Sequence, residues 1–122
     1  MGDIKDFTDL KAWQSARDLA KSTYSITNEL PKSEVFALSS QMRRASISVS
    51  SNIAEGFGRH SNKDKSHFYN MSLTSLDELR SQCYVALDLG YINDQQLTAI
   101  NEISLLTRKL ISGLIKYVKE RK

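Results

Sequence analysis

The sequence has one proline, five glycines and one cysteine among its 122 residues. Proline and glycine interrupt helices, so their scarcity favours long, uninterrupted helices. The single cysteine, Cys83, excludes an internal disulfide framework and a cysteine-rich zinc site, and it fits a reducing cytoplasm. No apolar run reaches the roughly 20 residues that a membrane-spanning helix needs. Because the first eleven residues carry three aspartates and no apolar core, we also expect no signal peptide.

The overall composition is that of a globular protein. Hydrophobic residues make up 40% of the chain and charged residues 25%, which argues against intrinsic disorder. A chain of 122 residues is long enough for one hydrophobic core and too short for two. We therefore predict a single domain over residues 1–122.

Four stretches carry apolar residues at intervals of three or four, the spacing of one helical face. The apolar positions are, in order of the four stretches, Leu10, Trp13, Ala16, Ala20 and Tyr24; Leu38, Met42, Ala45, Val49, Ile53 and Phe57; Phe68, Leu76, Leu79, Cys83 and Ala86; and Leu97, Ile100, Ile103, Leu110, Leu114 and Val118. Short loops between helices of this length predict an all-α protein, an antiparallel up-down-up-down four-helix bundle.

The first two helices have recognisable boundaries. The first is expected to start after Thr8 and to stop near Leu30, because the residue before Pro31 is steered out of helical geometry. Ser33 is the predicted N-cap of the second helix. Gly56 and Gly58 are expected to end that helix, as glycine does at C-caps.

The third and fourth helices begin at patterns that resemble capping boxes. Ser61 to Asp64 precedes the third helix and Asn93 to Gln96 precedes the fourth. Gly90 is expected to end the third helix.

The segment QMRRASISVSSNIAEGFGR, residues 41–59, places five polar side chains on one side of the second helix. These residues are Arg44, Ser48, Ser51, Asn52 and Glu55. They form either a polar seam against another subunit, for which Ser51, Asn52 and Glu55 are the candidates, or a surface for solvent or RNA. Catalysis is a third reading, but no histidine lies within helical reach to activate a serine.

Positive charge is concentrated in two segments. Residues 43–65 carry five basic groups against two acidic ones, net +3, and residues 108–122 carry six against one, net +5. In the predicted bundle most of these groups gather at one end, while Glu29, Glu34, Asp88 and Asp94 lie at the other. The candidate nucleic-acid-binding residues are Arg43, Arg44, Arg59, Lys63, Lys65, Lys116, Lys119 and Arg121.

Other chemically active residues have simpler explanations. Trp13 and Tyr24 occupy core positions, and Cys83 is expected to be an inert buried thiol. His60 and His67 lack the neighbouring ligands that a metal site needs, and a nuclease that uses them is a weak alternative. The run from Gly56 to Arg59 lacks the full phosphate-loop pattern. We predict no catalytic, cofactor-binding or metal-binding residue and no small-molecule substrate.

The blocks FTDLKAWQSA, LPKSEVFALSSQMRRASISVSSNIAEGFGR and SLDELRSQCYVALDLGYI resemble a family of four-helix-bundle proteins encoded in intervening sequences of bacterial large-subunit ribosomal RNA genes. The family is similar to the accessory variability protein of diversity-generating retroelements. The resemblance covers nearly the whole chain. Its most specific part runs from Gln41 to Ala45, then from Ser51 to Gly56, and includes Arg59. The family often has a proline near Ser50, which this chain lacks.

The resemblance implies a cytoplasmic ring of subunits, commonly a pentamer, with a basic surface, nucleic-acid binding and no enzyme activity. We therefore predict a non-enzymatic homo-oligomer that binds RNA or a nucleic-acid-handling partner. The alternative is a protein-interaction scaffold without nucleic-acid binding.

Two further expectations concern contacts between subunits. Helix 2 has a second apolar line, formed by Phe36, Ile47 and Ala54, and helix 4 has another. A single four-helix core cannot easily bury both sides of both helices, so these lines are expected to face a neighbouring subunit. The helix 4 line consists of Leu106, Ile111 and Ile115. Arg43 and Arg44 are expected to bind nucleic acid, or to pair with Glu55 or Glu78 within or between subunits.

Overall fold

The computed structural model describes residues 3–121, and within them the regular structure is entirely helical. The four α-helices are α1 Lys11–Thr27, α2 Leu38–Phe57, α3 Asn62–Asp88 and α4 Asp94–Glu120. Two short 3-10 helices, Phe7–Asp9 and Lys32–Glu34, precede α1 and α2. The predicted all-α class is confirmed.

Helix α1 begins at Lys11, two residues later than expected, because a separate turn precedes it. The Asp6 carboxylate accepts hydrogen bonds from the Thr8 backbone nitrogen and hydroxyl, at 3.3 and 2.6 Å. The Asp9 carboxylate in turn accepts a hydrogen bond from the Asp6 backbone nitrogen at 3.1 Å, so the two aspartates form a capping box around a 3-10 turn. The aspartates near the chain start therefore have a structural role.

The expected cap at Ser33 is wrong. Residues 32–34 form a 3-10 helix, Ser33 is exposed, and α2 starts only at Leu38. The Glu34 carboxylate accepts a hydrogen bond from the Leu38 backbone nitrogen at 3.3 Å and so satisfies an amide that the helix itself leaves unpaired. A carboxylate from the preceding turn replaces the expected serine.

Gly56 does not end α2, although Gly58 does. Gly56 is buried inside the last turn, and a Cβ atom there would lie 2.6 Å from the Tyr69 ring. Its missing side chain lets α2 and α3 approach closely. Gly58 is the C-cap and has an ordinary right-handed φ of −78°.

The predicted boundaries of α3 and α4 are confirmed. Ser61 caps α3 by accepting a bond from the Asp64 backbone nitrogen at 3.0 Å. Gly90 follows α3 with a φ of 77°, a left-handed conformation that glycine adopts without strain. Asn93 and Gln96 form a reciprocal capping box at the start of α4.

All four helices pack against one another, with α2 and α3 in the most extensive contact. Hydrogen bonds join helix ends, among them those of Arg43 to Asn28, Tyr91 to Glu34, Gln96 to Glu29 and Asn62 to Arg121. In each of them the residue at or near the start of one helix meets the end of another or its adjoining loop. These contacts agree with the up-down-up-down order.

The core lies between the four helices and includes the fully buried side chains of Leu19, Met42, Ile53, Leu76, Leu79 and Ile100. Two expectations about it are wrong. Tyr24 is 41% exposed, because the buried face of α1 is centred one position away, on Leu19 and Thr23. Ile111 and Ile115 lie in this core and do not face outwards, since α4 packs against both α1 and α3.

Within residues 3–121, none of the helices is long and apolar enough to cross a membrane.

Candidate nucleic-acid interface

One end of the bundle collects positive charge from the end of α2, the start of α3 and the end of α4. We call this surface the basic end; it comprises Arg59, Lys63, Lys65, Lys116, Lys119 and Arg121. The hydrogen bond from the Asn62 side chain to the Arg121 carbonyl oxygen, 2.8 Å long, holds the start of α3 against the end of α4. Lys122, one of the six basic residues of the segment 108–122, lies outside the described residues.

Arg59 is held in place by two contacts. Its guanidinium donates to Glu55 at 2.9 Å, in a pair one helical turn apart, and lies 4.4 Å from the centre of the Phe68 ring. About half of each charged side chain remains exposed. The Glu55 partner is therefore a solvated neighbour on the same helix side, and water screens the attraction.

Lys65 is the most enclosed cation at this end. Its ammonium donates to the backbone oxygens of Phe57, at 2.7 Å, and Gly56, at 3.4 Å, at the end of α2. The Gly56 oxygen also accepts a bond from the Arg59 backbone nitrogen at 3.2 Å. Burial, together with the charge of Arg121, lowers the pKa of Lys65. Lys65 therefore holds a helix junction together as well as adding to the positive potential.

The remaining cations of the basic end are exposed to solvent. Lys63, Lys116 and Lys119 are exposed, and so is Arg121, whose guanidinium donates to the Tyr117 hydroxyl. Among residues 3–121 the ion pairs are those of Arg59 with Glu55 and of Arg108 with Asp77. Five of the six cations of the basic end thus form no ion pair within the described part of the chain. Four of these five are exposed, and the fifth, Lys65, contacts backbone carbonyls.

The structure does not bring Arg43 and Arg44 to the basic end. Arg43 lies near the opposite end, where it donates to the Thr27 hydroxyl at 2.7 Å and to Asn28 at 2.9 Å. Its guanidinium also stacks on the Tyr24 ring, 4.9 Å from the ring centre. Arg44, the next residue of α2, is exposed. Within the described residues neither arginine forms an ion pair with Glu55 or Glu78.

The predicted polar seam divides between two surfaces. Asn52 donates to the Ser48 hydroxyl at 3.0 Å, and Ser48 in turn shares a 2.8 Å hydrogen bond with Ser75 of α3. Ser51 and Glu55 are exposed. Small serines between α2 and α3 allow the close contact of these helices inside one subunit, so this part of the seam is internal to the chain.

Across residues 3–121, no three histidine, cysteine, aspartate or glutamate side chains are close enough to hold a metal ion. His60 and His67 are exposed, and His67 packs edge-on against Phe68 with ring centres 5.3 Å apart. Cys83 is buried, and burial raises the pKa of its thiol to about 11, which disfavours the reactive thiolate.

Sequence reasoning missed an aromatic cavity beside the basic end. Phe57, Tyr69 and Tyr117 line it, together with His60 from the loop between α2 and α3. The helical spacing of α3 places Phe68, and not the adjacent Tyr69, on the predicted apolar stripe. The signal that points to it is Gly56, whose lack of a side chain accommodates the Tyr69 ring.

Comparison with known proteins gives a family and a fold. The model of the 23S rRNA-intervening sequence protein family matches residues 8–113. None of the curated proteins matches the sequence. A crystal structure from Bacteroides thetaiotaomicron, described as a protein with unknown function from the S23 ribosomal protein family, is similar in fold, with a TM-score of 0.79. The match covers 86% of this chain and 98% of that one, at 24% sequence identity.

Proposed function

This chain belongs to the 23S rRNA-intervening sequence protein family, and from the basic end we propose that it is a non-enzymatic, homo-oligomeric bundle that binds RNA. The observation that carries this proposal is the cluster of exposed cations at one end of the bundle, of which only Arg59 pairs with an acidic side chain within residues 3–121. Phosphate groups are the partners that such a surface attracts. The proposal places this activity in the cytoplasm.

RNA binding through this surface is expected to depend on charge more than on sequence. Each phosphate that a lysine or arginine neutralises releases counterions, so affinity falls with salt at a log–log slope near −0.7 per contact for single strands. Contacts from lysine and arginine to the phosphate backbone carry no sequence information by themselves. We therefore propose weak sequence preference and a steep salt dependence.

The decisive experiment measures binding of bulk RNA and DNA by fluorescence anisotropy between about 50 and 200 mM salt, the range over which phosphate contacts are readily lost. A triple variant, Arg59→Glu, Lys63→Glu and Lys119→Glu, is expected to abolish binding. A matched variant changes Arg17, Lys21 and Lys32, exposed cations away from the basic end, to glutamate. It has the same net charge and is expected to keep most of the binding.

Two results would reject the proposal. If the wild-type protein binds neither RNA nor DNA at low salt, the scaffold interpretation replaces RNA binding. If both triple variants lose binding equally, net charge and not the basic end is responsible. A single Arg44→Glu variant then shows whether the arginines in the other half contribute.

Homo-oligomerisation, with a pentameric ring as the specific form, is the second part of the proposal. Large apolar side chains remain exposed on three parts of the surface, namely Val35 and Phe36; Tyr84, Val85 and Leu89; and Leu105 and Leu106. Phe36 is 97% exposed, which is costly for a side chain of its size. Light-scattering mass, with and without bulk RNA, tests this part; a monomeric mass at micromolar concentration contradicts it.

A further inference from the structure

A partly enclosed cavity of about 360 Å³ opens at the basic end between the α2–α3 junction and the end of α4. Its apolar wall is formed by Leu10, Phe57, Leu114 and Val118. Specific ligand sites begin near this size and combine an apolar wall with a few polar groups. The cavity is therefore large enough for one small planar molecule and too small for an extended chain.

The polar groups of this cavity are cationic or are hydrogen-bond donors. Lys65 and Arg121 both line it, and the charge of Arg121 acts on Lys65 without an acidic side chain paired to either among residues 3–121. Two cations that line the same cavity repel each other, although water partly screens the exposed Arg121. An anion placed between them removes that repulsion.

Tyr69 supplies a hydrogen-bond donor at the cavity. Its side chain is only 2% exposed and lines the cavity, and its hydroxyl takes part in none of the hydrogen bonds formed by the described residues. The fully buried polar side-chain atoms left without a partner among these residues are Ser39 Oγ and Gln82 Oε1, so the Tyr69 oxygen keeps some contact with solvent and is open to an acceptor atom of a ligand. The Gly56 backbone fixes the ring here, because no side chain separates the two.

We propose that this cavity binds one nucleotide unit, with the base among the aromatic side chains and the phosphate between Lys65 and Arg121. Phe57, Tyr117 and His60 offer ring surfaces, and bases stack on such rings with little dependence on sequence. The Tyr69 hydroxyl donates to an acceptor atom of the ligand. The inference rests on the proposed RNA binding and deepens it, since the unit is either an unpaired nucleotide of RNA or a free nucleoside monophosphate.

Calorimetric titration of the whole chain with nucleoside 5′-monophosphates tests the pocket apart from RNA. We expect dissociation constants of about 0.1–1 mM, with unphosphorylated nucleosides and inorganic phosphate each binding at least about tenfold more weakly. Tyr69→Phe changes no volume and is expected to weaken binding about tenfold, because it removes one hydrogen bond to the ligand. Lys65→Gln is expected to weaken it by a similar factor.

The matched control is Lys32→Gln, which removes an exposed lysine that lies away from the basic end and does not line the cavity. It is expected to leave mononucleotide binding unchanged. Lys65→Gln loses hydrogen bonds at the end of α2, so circular dichroism is used to check that this variant still folds. If Lys65→Gln does not fold, the Tyr69→Phe variant still tests the pocket.

The outcomes separate the two proposals. RNA binding without any mononucleotide binding overturns the pocket and leaves the proposed function standing. Mononucleotide binding without RNA binding rejects the proposed function and supports the pocket as a site for a free nucleotide. Equal binding of inorganic phosphate and nucleotides overturns the base-binding part, and unchanged affinity in Tyr69→Phe overturns the role of the hydroxyl.

Discussion

The two ends of this bundle use charge in different ways. At the acidic end, Glu34 accepts hydrogen bonds from the Tyr91 hydroxyl, at 2.9 Å, and from the Leu38 backbone nitrogen, and Glu29 accepts one from Gln96 at 3.2 Å. Neutral donors thus hold the connecting segments there. At the basic end most of the cations reach solvent or a cavity. One end stabilises its own loops, and the other presents charge to a partner.

The difference also appears in the glycines at the two ends. Gly56 at the basic end is required by close packing, whereas Gly90 at the acidic end is required by a left-handed backbone. The first provides space for Tyr69 and so shapes the cavity. The second only lets the chain turn from α3 into α4.

The largest expected effect is a loss of stability when the packing of the basic end is disrupted. Gly56→Ala places a Cβ atom 2.6 Å from the Tyr69 ring and 3.2 Å from the Lys65 backbone oxygen, so α2 and α3 must separate. We expect a loss of about 2–3 kcal/mol in the free energy of unfolding, measured by urea denaturation. Gly58→Ala is the control, because its Cβ meets nothing closer than 3.7 Å. Equal stabilities of the two variants would refute the packing role.

The next prediction concerns the pH dependence of stability, which depends on one buried ionisable group in each half of the molecule. Burial raises the pKa of Cys83, in the acidic half, to about 11 and that of Tyr69, at the basic end, to about 12. In both cases the folded state holds its proton more tightly than the unfolded state. Stability is therefore full below the unfolded-state pKa and is lost as the pH rises through the folded-state value.

For Cys83 the loss runs from about pH 9 to about pH 11 and amounts to roughly 2 kcal/mol. Urea denaturation at several pH values is expected to show this decline in the wild-type protein. Cys83→Ala should move its onset to about pH 10, the ordinary pKa of Tyr69. A decline that starts at pH 9 in both proteins contradicts the assignment to Cys83.

At the acidic end, Gly90→Ala forces a residue with a side chain into a φ of 77°. No atom lies within 4 Å of the added Cβ, so the cost is backbone strain alone, about 1 kcal/mol. Thermal unfolding measures it. Gly90→Asn should cost less, since asparagine tolerates this conformation. If asparagine costs as much as alanine, strain is not the cause.

The smallest effect concerns Glu55. Because its pair with Arg59 is exposed, Glu55→Ala should lower stability by less than about 0.5 kcal/mol, well below the roughly 3–5 kcal/mol expected for breaking a buried pair. The same substitution leaves Arg59 without its acidic partner and should slightly strengthen RNA binding. A loss above 1 kcal/mol, with a change in mass, would instead place Glu55 in a packed contact between subunits.

The helical class and most element boundaries were predictable from the sequence. The Met42–Val49–Ile53 spacing, the Asn93–Gln96 capping box and Gly90 are local patterns, and local hydrogen bonds and backbone freedom decide them. The start of α2 was not predictable, because Glu34 also contacts Tyr91, a residue distant in the sequence.

The sequence by itself determined that four helices form and that positive charge is concentrated in two segments, since period and charge can be read along the chain. Only the tertiary structure decided which of those charges act together. Arg43 donates hydrogen bonds to Thr27 and Asn28, and Lys65 donates to backbone carbonyls of α2. Tyr69 packs against Gly56 and lines a cavity. These are contacts between distant segments, and their geometry exists only once the helices have packed.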